Sequence, residues 1–388
     1  MMRIAVWITL VLMIGSGRFA AGQIVLSGNE NKIDLSSGGQ RVIADAPPDS
    51  ISLLDFATFP PRVTHLPGIS NSVIGPPSNI AITPDGRLAL IACSLKVDPH
   101  DKTAWIPDDR IHVLDLSVRP PKVIDEIHVG LQPSGMSITP DGRRALVANR
   151  AAGTVTLLAI EGRHVRPLQT VEVCQPEQSV SDVAIHPDGL RALASVNSGG
   201  YLKLLQLSDE GVTVAPRKIS TYGQPYRTLI TPDGRLGLTA GPGQGGAPDA
   251  DALTIVDLTA DPVRTIDYVA LGAGPESIEL SPDGRLLAAV LMNGSSAAAD
   301  DPLFQDHGLL VLLERTERGF RRVEQLPTGR IPEGVAFTAD GRYLLVQCHP
   351  AREIWVFEIK KHHAVDTGHR IKTPGMPSSI RAAMPRQP

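Results

Sequence analysis

Six copies of one turn sequence restrict this chain to repeat architectures. AITPDGRLALIA (81–92), SITPDGRRALVA (137–148), AIHPDGLRALAS (184–195), LITPDGRLGLTA (229–240), ELSPDGRLLAAV (279–290) and AFTADGRYLLVQ (336–347) align on a Pro-Asp-Gly or Ala-Asp-Gly centre. Their aspartates, Asp85, Asp141, Asp188, Asp233, Asp283 and Asp340, recur every 45 to 57 residues, a period of propellers and solenoids. Pro presets φ at the first turn position and Gly supplies positive φ, so each centre predicts a tight turn between two antiparallel strands. A second proline, at 77, 133, 225, 275 and 332, stands seven residues before the turn proline or its Ala339 equivalent, and Val180 takes that seat in the third copy. Alternating segments such as RIHVLDL (110–116), GTVTLLAI (153–160) and EIWVFEI (353–359) follow, making four short strands per repeat. None of these segments has the length of a convincing helix, which disfavours a helical solenoid, and 36 glycines with 33 prolines are too much punctuation for a bundle.

Six turns leave the count one short of a closed seven-membered ring. GMPSSIRAAM (375–384) repeats the strand that precedes each turn, with no turn after it. At the other end, residues 23–35, 50–56 and 61–68 read as the outer three strands of a blade lacking its innermost one. Joined, they predict an all-β, seven-bladed β-propeller of four-stranded antiparallel blades, with blade seven drawn from 23–72 plus 373–388 of a single domain spanning 23–388. Such closure removes the free sheet edges that invite aggregation.

ALVANRAAGTVTLLAI (145–160), with a strand ending in Ala-Asn, a Gly turn and a strand of alternating Val, resembles the YVTN-type seven-bladed β-propeller repeat proteins, a group related to bacterial lactonase-type propellers. The resemblance spans essentially the whole chain after residue 22. It implies the fold, whereas the functions it implies are several: lactonases, large subunits of amine dehydrogenases, surface-layer components and propellers without assigned activity.

Residues 1–22 read as a secretory signal, with Arg3 as the positive region, an apolar stretch from Ile4 to Ile14, and small residues Ala20-Ala21-Gly22 before Gln23. The competing reading is an uncleaved N-terminal anchor. The expectation is a periplasmic or secreted protein with no integral membrane span after cleavage. Lys+Arg 37 against Asp+Glu 41 leaves a net charge of −4, with no basic field for nucleic acid. Cys93, Cys174 and Cys348 lie in or end apolar runs and are expected as buried strand thiols, and the lack of CxxCH excludes covalent haem. A closed propeller needs no second copy for stability, so a monomer is expected.

Function in such a ring is expected on the face where the innermost strands begin. The residues one past the upstream proline seat are Ser78, Ser134, Ser181, Tyr226, Glu276, Glu333 and Ser378, and the next are Asn79, Gly135, Asp182, Arg227, Ser277, Gly334 and Ser379. Asn79, Asp182, Tyr226, Arg227, Glu276 and Glu333 break this ring of small residues and are the candidate ligand-binding set. Residues 94–110, 241–251 and 293–308 are expected as long loops on the same face. His307 and His349 are candidate metal ligands beside Glu276 and Glu333; no cofactor is predicted, and a divalent metal is left open. GPGQGG (241–246) lacks the GKS/T of a phosphate loop, and GxSxG and HExxH are absent. The turn aspartates recur in six copies, which marks them as structural.

The preferred expectation is therefore a binding or scaffold protein that takes a small ligand or partner protein at the channel mouth. The alternative is a lactonase-like hydrolase using Glu276, Glu333, Arg227 or His349, since lactone opening needs an activated water and an oxyanion stabiliser. A weaker alternative, implied by the resemblance alone, is the large subunit of a periplasmic quinoprotein dehydrogenase complex.

Overall fold

The computed structural model describes residues 23–243 and 247–384; the signal-like segment 1–22, residues 244–246 of the Gly-rich stretch and residues 385–388 lie outside them. Seven four-stranded antiparallel sheets form a ring. In blade one the strands are Ile80–Ile82, Leu88–Val97, Trp105–Asp115 and Lys122–His128, running outward in chain order. The innermost strands of blades two to six are Pro133–Ile138, Val180–Ile185, Arg227–Ile230, Pro275–Leu280 and Pro332–Phe337.

Blade seven closes the circle from both ends of the chain. Met376–Ala382 is its innermost strand, followed by Ile24–Glu30, Ser50–Asp55 and Arg62–Pro67. The seam pairs Val25 with Ala382 and Gly28 with Ser379. Apolar side chains from each blade pack against the next, so that a separate core fills each of the seven blade-to-blade junctions. Leu26 packs with Ile80 between blades seven and one, and Val25 with Ile380 and Ala336 between blades six and seven.

The repeated turn has one hydrogen-bond design. Asp85 Oδ1 accepts from the Thr83 hydroxyl at 2.6 Å and the Arg87 amide at 3.1 Å, while Thr83 Oγ1 accepts from the Leu88 amide at 3.0 Å. Thr139/Asp141, Thr231/Asp233, Ser281/Asp283 and Thr338/Asp340 repeat it, whereas in blade three His186 Nδ1 accepts from the Asp188 amide and Asp188 Oδ1 accepts from the Leu190 and Arg191 amides. The turn glycines sit at φ between 67° and 74°. These aspartates are thus turn clamps.

Two expectations need correction. Ile33–Leu35 does not continue the first strand: Ile33–Asp34 and Arg41–Val42 form a separate two-stranded hairpin. Its Ile33 is buried with Val73, Ile74 and Leu95, and Leu35 and Val42 pack against the same cluster, which draws the hairpin over the mouth. Nor is 94–110 mainly loop. The second and third strands of blade one run on, pairing Leu95 with Pro107 and Val97 with Trp105, and leave only 98–104 as a turn. Cys93 and Cys348 are buried strand thiols, whereas Cys174 lies just beyond its strand and is half-buried; all three are free. No helix among the described residues is long and apolar enough to cross a membrane.

Candidate functional site

The channel is crossed by a chain of alternating charges. Arg227 Nη1 lies 3.0 Å from Asp182 Oδ2 and its Nη2 3.1 Å from Glu279 Oε2, while Arg381 Nη1 reaches the same Glu279 oxygen at 3.2 Å. Asp182 also accepts from the Ser78 hydroxyl at 3.0 Å and the Thr228 amide at 2.8 Å. Blades one, three, four, five and seven are thereby tied at the axis. Burial raises the Asp182 carboxyl, opposed by Arg227, and each buried charge has an opposite partner, the condition for ionised groups inside a protein. Gly135 makes the crossing possible, since a Cβ there would stand 1.9 Å from Asp182 Oδ1.

At the mouth, Tyr226, Glu276 and Glu333 come together, as their shared seat after the upstream proline implies. Glu333 is 1% exposed, and its carboxyl lies well above the ordinary range through burial and then the charges of Glu276 and Glu30. Burial raises Glu276 to about 8 against the pull of Arg150. The Arg150 guanidinium sits 5.4 Å from the Tyr226 ring centre and donates to Asn197 Oδ1 at 3.2 Å. The Tyr226 phenol is pushed up by burial and by both glutamates. Glu30, raised to about 7 chiefly by burial, accepts from the Val73 amide and pairs with Lys32 at 3.3 Å.

The segment 71–77 lies over this group. Asn79 Nδ2 donates to Ser72 O at 2.6 Å, and the Gly75 backbone hydrogen-bonds the Tyr226 phenol. Above blade five the hairpin turn covers more of the mouth, with the Gly38 amide donating to Ser296 O at 2.9 Å and Arg330 Nη2 to Ser36 O at 3.2 Å. Asn79 Oδ1, Ser134 Oγ, Glu333 Oε1, Gln347 Oε1 and Ser379 Oγ are buried without a hydrogen-bond partner among the described residues. Beside them opens a pocket of about 690 Å³ between the hairpin turn and blades four and five, with Glu276 in its wall.

Of the six candidate ligand-binding residues, only Glu276 lines this pocket. Asp182 and Arg227 belong to the axial charge chain, and Arg227, 4% exposed at its side chain, is committed to two carboxylates. Asn79 is buried against the 71–77 segment. The histidines do not converge. His349 is fully buried with Nδ1 3.3 Å from Pro377 O, and burial lowers it to about 4; His307 is half-buried on its loop beside Asp306 at 2.8 Å. No group of three or more His, Cys, Asp or Glu among the described residues has an arrangement that could hold a metal ion.

Glu30, Glu279, Arg381 and Arg150 escaped the sequence reading. Glu279 and Arg381 share a seat four past the upstream proline, where the other blades carry Ala81, Ser137, Ala184, Leu229 and Ala336, so charge at that seat was the available signal. Arg150 follows the last residue of its blade's second strand, a seat it shares with Asn197 and His349.

No protein-family model matches the chain, and no curated protein does. Solved structures do. A functionally unknown protein from Desulfotomaculum acetoxidans superposes with a TM-score of 0.69 at 14% identity, over 94% of this chain and 99% of that one. A putative 6-phosphogluconolactonase from Bacteroides fragilis gives 0.67 at 16% identity over 94% and 99%. The periplasmic gluconolactonase of Pseudomonas aeruginosa gives 0.68 at 18% identity over 92% and 99%. At such identities the likeness shows the fold, and the seven-bladed ring with lactonase-type propellers among its structural neighbours bears out the resemblance at that level.

Proposed function

We propose that this propeller binds a small molecule in the mouth pocket, with Glu276 as its polar anchor. One observation carries the reading: a pocket of about 690 Å³, within the ordinary range for small ligands, has in its wall a carboxyl that accepts no hydrogen bond from any described residue. The axial charge chain closes the channel below, so a ligand is held at one face. Thermal-shift screening of a chemically mixed small-molecule panel on wild type and Glu276→Gln tests this. A hit whose shift disappears in the variant supports the reading, and hits indifferent to Glu276, or none, defeat it.

Lactone hydrolysis at the same place is favoured by one further observation, the coupled Glu276 and Glu333 carboxyls. Once Glu276 ionises, above about pH 8, it can take a proton from the attacking water while Glu333 still holds one for the leaving alkoxide. Three structural neighbours bear lactonase names, which supports this class. A lactone panel assayed with wild type, Glu276→Gln and Glu333→Gln decides it; wild type inert on every lactone removes the reading. The signal-like segment 1–22 supports action outside the cytoplasm, and cell fractionation with and without that segment tests the location.

A further inference from the structure

We propose that the mouth pocket takes an organic cation, an amine whose ammonium group meets Glu276 while its hydrocarbon body lies along the apolar wall. The proposal rests on the pocket reading above and names its ligand class.

The lining is one-signed. The charged residues in the pocket wall are Asp251, Glu276 and Asp301, with no lysine or arginine among them. Asp251 accepts from the Gly243 and Gly274 amides and Asp301 from the Leu303 amide, which leaves Glu276 as the wall carboxyl that accepts no hydrogen bond from the described residues. Neither of the nearest arginines, Arg150 and Arg330, lines the pocket. Arg150 Nη2 donates to Asn197 Oδ1 beside the Tyr226 ring while its buried Nη1 has no hydrogen-bond partner among the described residues, and Arg330 donates to Ser295 O at 2.9 Å and Ser36 O at 3.2 Å with its guanidinium 4.8 Å from the Phe304 ring centre.

The remaining wall, with Leu35, Ala273, Met292, Leu303 and Ile331, suits hydrocarbon. A carboxylate or phosphate ligand would instead face three acids without a free counter-charge in the wall.

Binding is coupled to a proton. In the free protein burial holds the Glu276 proton up to about pH 8 against the pull of Arg150, with Glu333 and Tyr226 beside the same carboxyl and Asp251 and Asp301 in the pocket wall. An ammonium ion displaces that proton, so at neutral pH up to one proton is released per ligand, and affinity rises as pH approaches the free-state value.

Isothermal titration with three probes of one shape, 2-phenylethylammonium, 2-phenylethanol and 3-phenylpropanoate, tests the class. The ammonium probe is expected to bind at least about tenfold more tightly than the alcohol, and Glu276→Gln to remove that margin, because a charge-assisted contact is lost. Repeating the titration in buffers of different ionisation enthalpy should show proton release near neutrality that fades above about pH 9. The proposal is overturned if 3-phenylpropanoate binds as tightly as the ammonium probe, if Glu276→Gln binds the ammonium probe unchanged, or if no probe binds. An anionic or neutral hit from the mixed panel that depends on Glu276 would sink the cation while leaving the pocket reading intact.

Discussion

Arg227 of blade four and Asp182 of blade three meet in the channel, Nη1 to Oδ2, at 3.0 Å with both side chains buried. Arg227→Met removes the cation between Asp182 and Glu279 and leaves Arg381 alone to face them. Breaking one partner out of a buried ion pair costs about 3–5 kcal/mol, so the variant should unfold at clearly lower denaturant. Urea denaturation followed by circular dichroism checks this; a midpoint equal to wild type would mean the charges are not paired in the folded ring.

Gly135→Ala probes the same crossing from blade two. The added methyl would sit 1.9 Å from Asp182 Oδ1, and overpacking of this kind costs about 1–3 kcal/mol. Gly135 is not among the positive-φ glycines, so the penalty is steric and not conformational. Pairing Gly135→Ala with Asp182→Ala should recover part of the loss that the two single changes would give if they simply added.

The mouth carboxyls give stability a pH signature. Glu276 rises from 4.5 to about 8 on folding and Glu333 rises well above 4.5, so the folded state binds more protons than the unfolded state across that interval. Stability contributed by these groups is therefore full below the unfolded value and declines as pH climbs through the folded one. His349, lowered to about 4, acts in the opposite sense below about 6.5, so the comparison must be between proteins that both contain it. Plotted from pH 5 to pH 9, the unfolding midpoint should fall less steeply for Glu276→Gln/Glu333→Gln than for wild type. Parallel curves would place both carboxyls in an ordinary solvated setting.

Removing residues 376–388 takes away the innermost strand of blade seven and Arg381 with it. Ile24–Glu30 and the face of blade six then lose their partner, exposing a sheet edge and apolar side chains such as Val25 and Ala336. The truncated chain should aggregate, seen as void-volume elution in gel filtration. A monomeric, cooperatively melting truncation would show that the ring does not depend on its seam.

The fold was legible because its signals are local. Pro-Asp-Gly with a following apolar strand specifies a hairpin wherever it stands, and Met376–Ala382 betrays its place by repeating Pro275–Leu280 without a turn. The mouth was legible only in part. Counting one residue past the upstream proline found Tyr226, Glu276 and Glu333 together, but it could not tell that Arg227 would be spent on Asp182 and Glu279, because that pairing depends on how far each side chain reaches across the axis. The hairpin over the mouth was hidden for a different reason: Ile33 is its one fully buried anchor, and a single apolar residue beside a strand reads as more strand.

The seam also sets an order of events. Ser378 hydrogen-bonds Gly28 O across 350 positions of sequence, so Ile24–Glu30 waits for a strand made long after it before its inner edge is covered. Contacts so distant along the chain form late and slowly. Until Met376–Ala382 docks, the ring is an open crescent and the inner edge of Ile24–Glu30 stays bare.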